Sequence, residues 1–394
     1  MWELYSRMPR GRYTFVANRS TGSEQFDRLH DLPIIRMPLR FDSWGALGWR
    51  RGGAYYRAYV RLCRVVCERG IDAVHASNCL PEGFLAWMLR RRFGLPYVVY
   101  VHGEELNIAI KSRELSWMVR RAYRDAALVI ANSRNTARLL ENDWAVSADR
   151  LCVMHPGVDT QQFRPVARNA DARRQLGWGD HPVVLTVGRL TKRKGQEQII
   201  RALPEIAKAV PDVLYAIVGD GEERDRLAAV TTELGLQDRV VFHGELDSAD
   251  LTTAYQQCDV FALPNRIVHG DFEGFGIVLL EAQACGKPVI AGDSGGTVEA
   301  VNAPHSGRIV RQNYPEELTH TLIELLRDEA LRERMGQFGR QWVQTHFDWT
   351  VLVDQAARLF SVLERSRGAV HGSGPVTGSS SDSLISAAEA SHLG

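Results

Sequence analysis

Lysine is scarce in this chain: only five of its 48 cationic side chains are Lys, and the rest are Arg. Long apolar runs are missing as well. No stretch approaches the roughly 18 apolar residues that a bilayer-spanning helix needs. The opening MWELYSRMPRGRYTFVAN lacks the cationic lead, apolar segment and small-residue cleavage site of a secretory signal, so the chain reads as cytoplasmic. Cysteine is sparse: Cys63, Cys67, Cys79, Cys152, Cys258 and Cys285 form no CxxC pair and no ligand-like spacing with His. Cys63 and Cys67 share a helical face, but two thiols alone do not make a zinc site, so no metal is expected and the thiols read as reduced and mostly buried.

What is present is ordinary for a globular protein. Hydrophobic residues are 45% and charged residues 24% of the chain, which excludes a disordered or fibrous protein. A length of 394 residues fits two domains of common size or one large α/β unit. The net charge of +1 hides an asymmetry: residues 1–165 carry 25 cations against 16 anions, and the remainder carries the opposite excess. A basic half of this kind suits an anionic surface, and phospholipid rather than nucleic acid is the partner expected. Its candidate groups are Arg50, Arg51, Arg57, Arg61 and Arg64, on or beside one amphipathic helix, and the run Arg90–Arg92.

Short β-branched runs alternate with amphipathic stretches, the pattern of parallel βαβ units. In the first half the strands are expected at Thr14–Ala17, Ala73–Ala76, Tyr97–Val101, Leu128–Ala131 and Leu151–His155, with helices at Gly53–Arg69, Glu82–Phe93 and Arg113–Asp125. The turn-rich HPGVDTQQFRP (His155–Pro165) reads as a linker. The alternation then restarts, with strands at Val183–Val187, Val213–Val218, Val240–His243, Val260–Leu263 and Val289–Ala291. Helices fill Gln196–Ala209, Glu222–Leu234, Ala249–Cys258 and Gly276–Cys285. The expected division is an N-terminal domain over 1–160, a second over 161–345, a returning helix over 346–366, and a Gly/Ser-rich disordered tail over 367–394.

Three windows carry chemistry. In DFEGFGIVLLEAQACGKPVIA (Asp271–Ala291), Glu273 and Glu281 flank a Gly-Phe-Gly that opens a helix. Glycines there let a ligand approach the backbone, and the N–H groups of the first turn suit an oxygen-rich anion. One Glu can hold a sugar hydroxyl and the other a ribose diol. In TVGRLTKRKGQEQII (Thr186–Ile200), Arg189 and Lys194 stand at a strand–loop–helix junction, well placed to neutralise a diphosphate. Lys192 and Arg193 are expected to point into solvent. In VVYVHGEELNI (Val98–Ile108), His102 follows a buried strand at its carboxyl end, where open parallel sheets bind ligands. VGDGEER (Val218–Arg224) falls short of GxGxxG and is no dinucleotide fingerprint.

Taken in order, HGEE, GRLTKRKG, VGDGEE, VVFHGEL, E-G-F-G-x4-E and ACGKPVIAGDSGG resemble glycosyltransferase family 4, over about Val74 to Trp349. In motif detail the chain is most similar to bacterial phosphatidylinositol-mannoside mannosyltransferases. The resemblance implies a GT-B fold, two Rossmann-like domains facing across a cleft, and a retaining, metal-independent transfer of a hexose from a GDP- or UDP-sugar co-substrate. Mannose is the sugar favoured, and the acceptor a lipid-linked one or a glycan. It implies that Arg189 and Lys194 bind the diphosphate and that Glu273 binds the donor sugar. Gly274, Phe275 and Gly276 would give backbone donors, Ile277 and Val278 would pack the ribose side, and Glu281 would bind the ribose. Gly244 and Leu246 would take the base through the main chain, and His102 would be the active-site His of the first domain.

Two alternatives stay open at this point: a catalytically silent sugar-nucleotide-binding paralogue, and a GT-B-fold nucleotide-sugar 2-epimerase. The first gains weight from the N-terminus. WELYSRMP reads as the tail of the family's first helix and RYTFVAN as its second strand, so the first strand and its Gly-Gly loop are expected to be missing.

Overall fold

The computed structural model describes residues 1–371 apart from 10, 31, 40, 42–44, 46–48, 104, 105 and 107–111; the side chains of 49–51 and 362–371 are also outside the description. Glu104 and Glu105 of HGEE, the side chains of Arg50 and Arg51, and the tail over 372–394 therefore lie outside the described residues.

The chain forms two compact units. The first comprises Met1–Asn132, Thr136–Met154 and the segment from Leu352; the second comprises Ser133–Asn135 and His155–Val351.

In chain order, the first unit opens with helix α1 (Trp2–Tyr5), strand β1 (Phe15–Ala17), α2 (Ser23–Leu29) and β2 (Ile34–Arg36). Then follow α3 (Trp49–Arg69), β3 (Val74–Ala76), α4 (Phe84–Phe93), β4 (Tyr97–Val101) and α5 (Arg113–Arg124). The unit is completed by β5 (Leu128–Ala131), most of α6 (Arg134–Trp144), and β6 (Leu151–Val153). Strands β4 (YVVYV) and β5 (LVIA) are buried at every position, as unbroken apolar runs between covering helices should be. They lie centrally in a parallel sheet of order β3-β4-β5-β6, while β1 and β2 form a separate parallel pair. Among the described residues no strand pairs with the second edge of β3. Helix α5 starts where the Ser112 hydroxyl accepts from Leu115 N, and it buries Met118, Val119, Ala122 and Tyr123 on one face.

Tyr5 of α1 is buried in this unit. Its hydroxyl meets the Tyr100 hydroxyl at 2.9 Å and also His75 Nδ1, and its ring stacks on Phe360. Burial brings the His75 imidazole down to about 4, against a small opposing pull from Asp72.

The second unit contains α7 (Ala170–Gln175), β7 (Val183–Val187), α8 (Gln196–Ala209), β8 (Leu214–Val218), α9 (Arg224–Glu233) and β9 (Val240–Gly244). It continues with α10 (Ser248–Gln257), β10 (Val260–Leu263), α11 (Ile277–Ala284), β11 (Val289–Gly292) and β12 (Gly307–Val310). Helices α12 (Pro315–Arg327), α13 (Glu329–His346) and α14 (Trp349–His371) close the chain, α14 passing into the first unit at Leu352. Asp247 and Asp328 cap α10 and α13 with their carboxylates. The sheet is wholly parallel, in the order β12-β11-β10-β7-β8-β9. Its two faces carry separate cores, one around Phe261, Leu279 and Trp178, the other around Ile199, Ile217 and Leu322.

This order has one functional consequence. The chain winds outward from β7 to β9 in one direction and from β10 to β12 in the other. The order of the chain therefore reverses between the adjacent strands β7 and β10, and the carboxyl ends of the strands at such a switch point are where α/β sheets bind ligands.

Two strands escape the sequence pattern. Strand β2 is only three residues between Pro33 and Pro38, and β12 (GRIV) opens on a glycine and an arginine, so neither offers an unbroken apolar run. The final helix also runs on through Gly368 to His371, past its expected end at 366, so residues 367–371 of the expected disordered tail are helical.

Candidate active site

The two segments at the β7/β10 switch point carry the chemistry. Residues Gly188–Gly195 follow β7, and Pro264–Gly276 follow β10 and lead into α11. The strands themselves are adjacent, with Val184 opposite Val260 and Leu185 opposite Phe261. Pairing thus places Lys194 beside Glu273, 79 positions later in sequence.

The segments touch without intervening side chains. Gly195 has φ +77°, and a Cβ there would strike the Pro264 carbonyl oxygen. At Gly295, in the turn after β11, φ is +63° and a Cβ would strike the Glu273 carbonyl oxygen. Both positions combine a left-handed backbone with a contact that only glycine permits.

Glu273 lies at the centre and is only 7% exposed. Its Oε2 is held by Lys194 Nζ at 2.6 Å and by Arg193 Nη1 at 2.6 Å. Burial pushes this carboxyl up, but Lys194 and Arg193 outweigh it and hold it below the usual carboxylate range. Arg193 also reaches Asp271, Nε to Oδ2 at 3.2 Å, and its carbonyl oxygen accepts from Arg266 N at 2.8 Å. Asp271 closes a two-residue hairpin with Val268, turned by His269 and Gly270, both with positive φ.

Arg193 overturns a sequence expectation. It is 8% exposed and paired, whereas Lys192 next to it is exposed as expected. The turn Lys192–Lys194 is a single 3₁₀ turn, and it swings Arg193 inward towards the acidic hairpin. Arg189 is exposed, and its guanidinium has no acidic partner among the described residues. The side chain of Lys194 lies over the backbone of Gly188.

Gly274, Phe275 and Gly276 form the bend into α11. The Phe275 ring is buried in the core beside His155 and Phe347, so only its backbone enters the motif. Gly276 caps α11 in the left-handed conformation, and the first turn closes through Leu279 N to Gly276 O at 2.9 Å. The N–H groups of Gly276, Ile277 and Val278 have no backbone acceptor among the described residues, the ready-made anion site of a helix N-terminus. Ile277 is exposed and Val278 half-buried.

Glu281 stands one turn into α11. Its Oε2 accepts from the buried Tyr255 hydroxyl at 2.6 Å, and burial raises its carboxyl against that hydrogen bond. Glu273 precedes the helix, so the two carboxylates occupy different segments and have different partners. Gly244 ends β9 with φ +69°, and its carbonyl oxygen accepts from Gly219 N at 2.7 Å. Leu246 packs against the core, and its N–H has no backbone acceptor among the described residues. His102 belongs to the first unit, exposed past the end of β4. Its Nε2 lies 3.0 Å from Ser77 O, and its own carbonyl accepts from Asn132 Nδ2 at 2.8 Å.

Comparison with known proteins gives the family and the fold. The model of the family Glycosyltransferase Family 4 matches residues 3–162, and that of Glycosyl transferases group 1 matches residues 169–342. The chain is 35% identical over 312 residues to a GDP-mannose-dependent alpha-(1-6)-phosphatidylinositol monomannoside mannosyltransferase of Mycolicibacterium smegmatis, covering 78% of this chain and 81% of that relative. A monoacylated-substrate counterpart from Corynebacterium glutamicum is 32% identical over 310 residues, covering 77% and 79%. Among solved structures, sucrose-phosphate synthase from Thermosynechococcus elongatus matches with a TM-score of 0.70 at 26% identity over 85% of this chain and 84% of that one. Anabaena Alr3699/HepE in complex with UDP matches with a TM-score of 0.73 at 24% identity, over 88% and 92%. The fold is GT-B.

Proposed function

The chain belongs to glycosyltransferase family 4, and on that premise we propose that it transfers mannose from GDP-mannose to a phosphatidylinositol-mannoside type of lipid acceptor. The transfer proceeds with retention and without a metal ion. One observation carries the donor site: two cations meet a buried carboxylate at the sheet's switch point, beside N–H groups at the start of α11 that have no backbone acceptor among the described residues. The names of the two mannosyltransferase relatives support the choice of sugar and acceptor.

Lys194 and Arg189 neutralise the donor's diphosphate and stabilise it as it departs, the task that a divalent cation would otherwise perform. The N–H groups of Gly276, Ile277 and Val278 receive phosphate and sugar oxygens. Glu273 has Oε2 committed to Arg193 and Lys194, which leaves Oε1 for a hydroxyl of the sugar. Glu281 has Oε2 committed to Tyr255, which leaves Oε1 for the ribose diol. The backbone at Gly244 and Leu246 takes the base.

The acceptor reading has its own support in the first unit. On α3, Tyr56, Arg57, Val60, Arg61 and Arg64 are exposed at helical spacing and form one solvent face, joined on α4 by exposed Arg90–Arg92. Arginines interleaved with apolar side chains suit the surface of an anionic membrane.

A donor screen tests the proposal. Thermal-shift titration with GDP-mannose, UDP-glucose, UDP-N-acetylglucosamine and UDP-galactose should select GDP-mannose. Product analysis with a phosphatidylinositol-mannoside acceptor should then give an α-linked mannoside. Stabilisation by a UDP-sugar alone would reject the donor, and turnover without acceptor would reject transfer.

A further inference from the structure

We propose that Arg193 is a positioning residue, the standing counter-ion of Glu273 that lets Lys194 leave this carboxylate for the donor's diphosphate. The proposal rests on the roles given above to Lys194 and Glu273, and it adds a residue to which sequence reading gave no role.

Both cations contact the same oxygen, Glu273 Oε2, each at 2.6 Å, but they are held very differently. Arg193 is tied down at three points: Glu273, Asp271 Oδ2 at 3.2 Å, and Arg266 N at 2.8 Å on its carbonyl oxygen. The hairpin it grips is itself anchored, with Ile267 N on Gln312 Oε1 at 2.9 Å. Its guanidinium is therefore held by two carboxylates of the loop that delivers Glu273, while the third tie fixes its main chain. Among the described residues Lys194 has one ionic partner, Glu273, and its stem lies over the backbone of Gly188 with no hydrogen bond along it. A fixed planar fork and a flexible point charge thus share one carboxylate oxygen.

Charge balance dictates the division of work. Were Lys194 the only cation, its transfer to a diphosphate would strand a carboxylate that is 7% exposed, and an uncompensated buried charge is strongly unfavourable. With Arg193 in place, Glu273 stays ionised and oriented after Lys194 departs, so Oε1 still presents an acceptor to the sugar. Among the described residues the titratable groups around this carboxylate are few. Lys194 and Arg193 face it from the loop after β7, and Asp271 stands beyond Arg193 on its own hairpin. The turn after β11 that packs on it contributes Gly295, Gly296 and Thr297.

The test uses the full chain and its Arg193→Gln and Arg193→Lys variants. In the ligand-free protein, carbon-13 titration of the Glu273 carboxyl should move up by about one pH unit in Arg193→Gln and return towards wild type in Arg193→Lys. With GDP-mannose as probe, Arg193→Gln should raise KM about tenfold and shift the acid limb of kcat/KM upward, with Arg193→Lys intermediate. Asp271→Asn, at a half-exposed position, removes the second anchor of Arg193 and should raise KM about threefold in the same direction, even if Arg193→Gln fails to fold. Wild-type KM and an unmoved acid limb in these variants would overturn the proposal, as would an unmoved Glu273 titration. Undiminished GDP-mannose affinity in Lys194→Ala would instead reject the underlying site, while the ligand-free titration still decides the part played by Arg193.

Discussion

Replacing Lys194 by Ala separates folding from chemistry at this site. In the ligand-free protein the change removes one of two cations on Glu273, and Arg193 still compensates the buried carboxylate. The fold should therefore survive, with a melting temperature within a few degrees of wild type. The reaction should not. A cation about 4 Å from a phosphate charge, at an effective dielectric of about 20, interacts by roughly 4 kcal/mol. Deleting one preorganised donor to developing charge typically costs about 3–4 kcal/mol. That is a fall of two to three orders of magnitude in kcat/KM. Part of it should appear in KM, because the diphosphate is already charged in the ground state, and the remainder in kcat as the leaving group gains charge. Arg189→Ala should lose two or more orders as well, with less effect on melting because its exposed guanidinium has no acidic partner among the described residues. The assay is radiolabelled mannose transfer to a lipid acceptor, with nucleotide release measured in parallel. If both variants transfer within threefold of wild type, the diphosphate assignment is wrong.

Three more outcomes are expected. EDTA should leave transfer intact, and a loss restored by Mg²⁺ or Mn²⁺ would contradict leaving-group stabilisation by Lys194 and Arg189 alone. Vesicles rich in anionic phospholipid should float with the protein at low salt and release it as salt rises. Reversal of Arg57, Arg61 and Arg64 to Glu should abolish flotation, and salt-insensitive binding or none would end the membrane reading. The third concerns acid stability. His75 is neutral in the folded first unit and titrates at about 4, against 6.5 when unfolded. Its stabilising contribution is therefore complete above pH 6.5 and disappears as pH falls through about 4, a loss of roughly 3 kcal/mol. Urea unfolding across that window should show the loss in wild type and a flatter curve in His75→Gln; parallel curves would refute it.

Some of this is legible in the sequence alone. Strands β4, β5, β7 and β10 fall where unbroken apolar runs put them, because a strand buried on both faces has few alternatives. The E-G-F-G bend was legible from its glycines. Arg193 was not: a hydrophobic period says nothing about which side chain of a three-residue turn points inward, and its partners lie about 80 positions away in sequence. Tyr255 escaped notice for the same reason. It is one helical residue among others until the packing of α10 on α11 sets its hydroxyl against Glu281. Phe275 enters the motif only through its backbone, and its ring belongs to the core.

The backbone contacts at Gly195 and Gly295 bear on any effort to retarget this scaffold to another sugar. Each glycine is pressed against a carbonyl oxygen of the neighbouring loop, so even a methyl group there would pry apart the frame that carries Lys194 and Glu273. Mutant libraries that randomise whole loops would consist largely of broken scaffolds. Diversity is better confined to side chains clear of those contacts, chiefly the exposed Ile277 at the mouth of α11. Substrate choice can then drift there while the frame beneath is inherited unchanged.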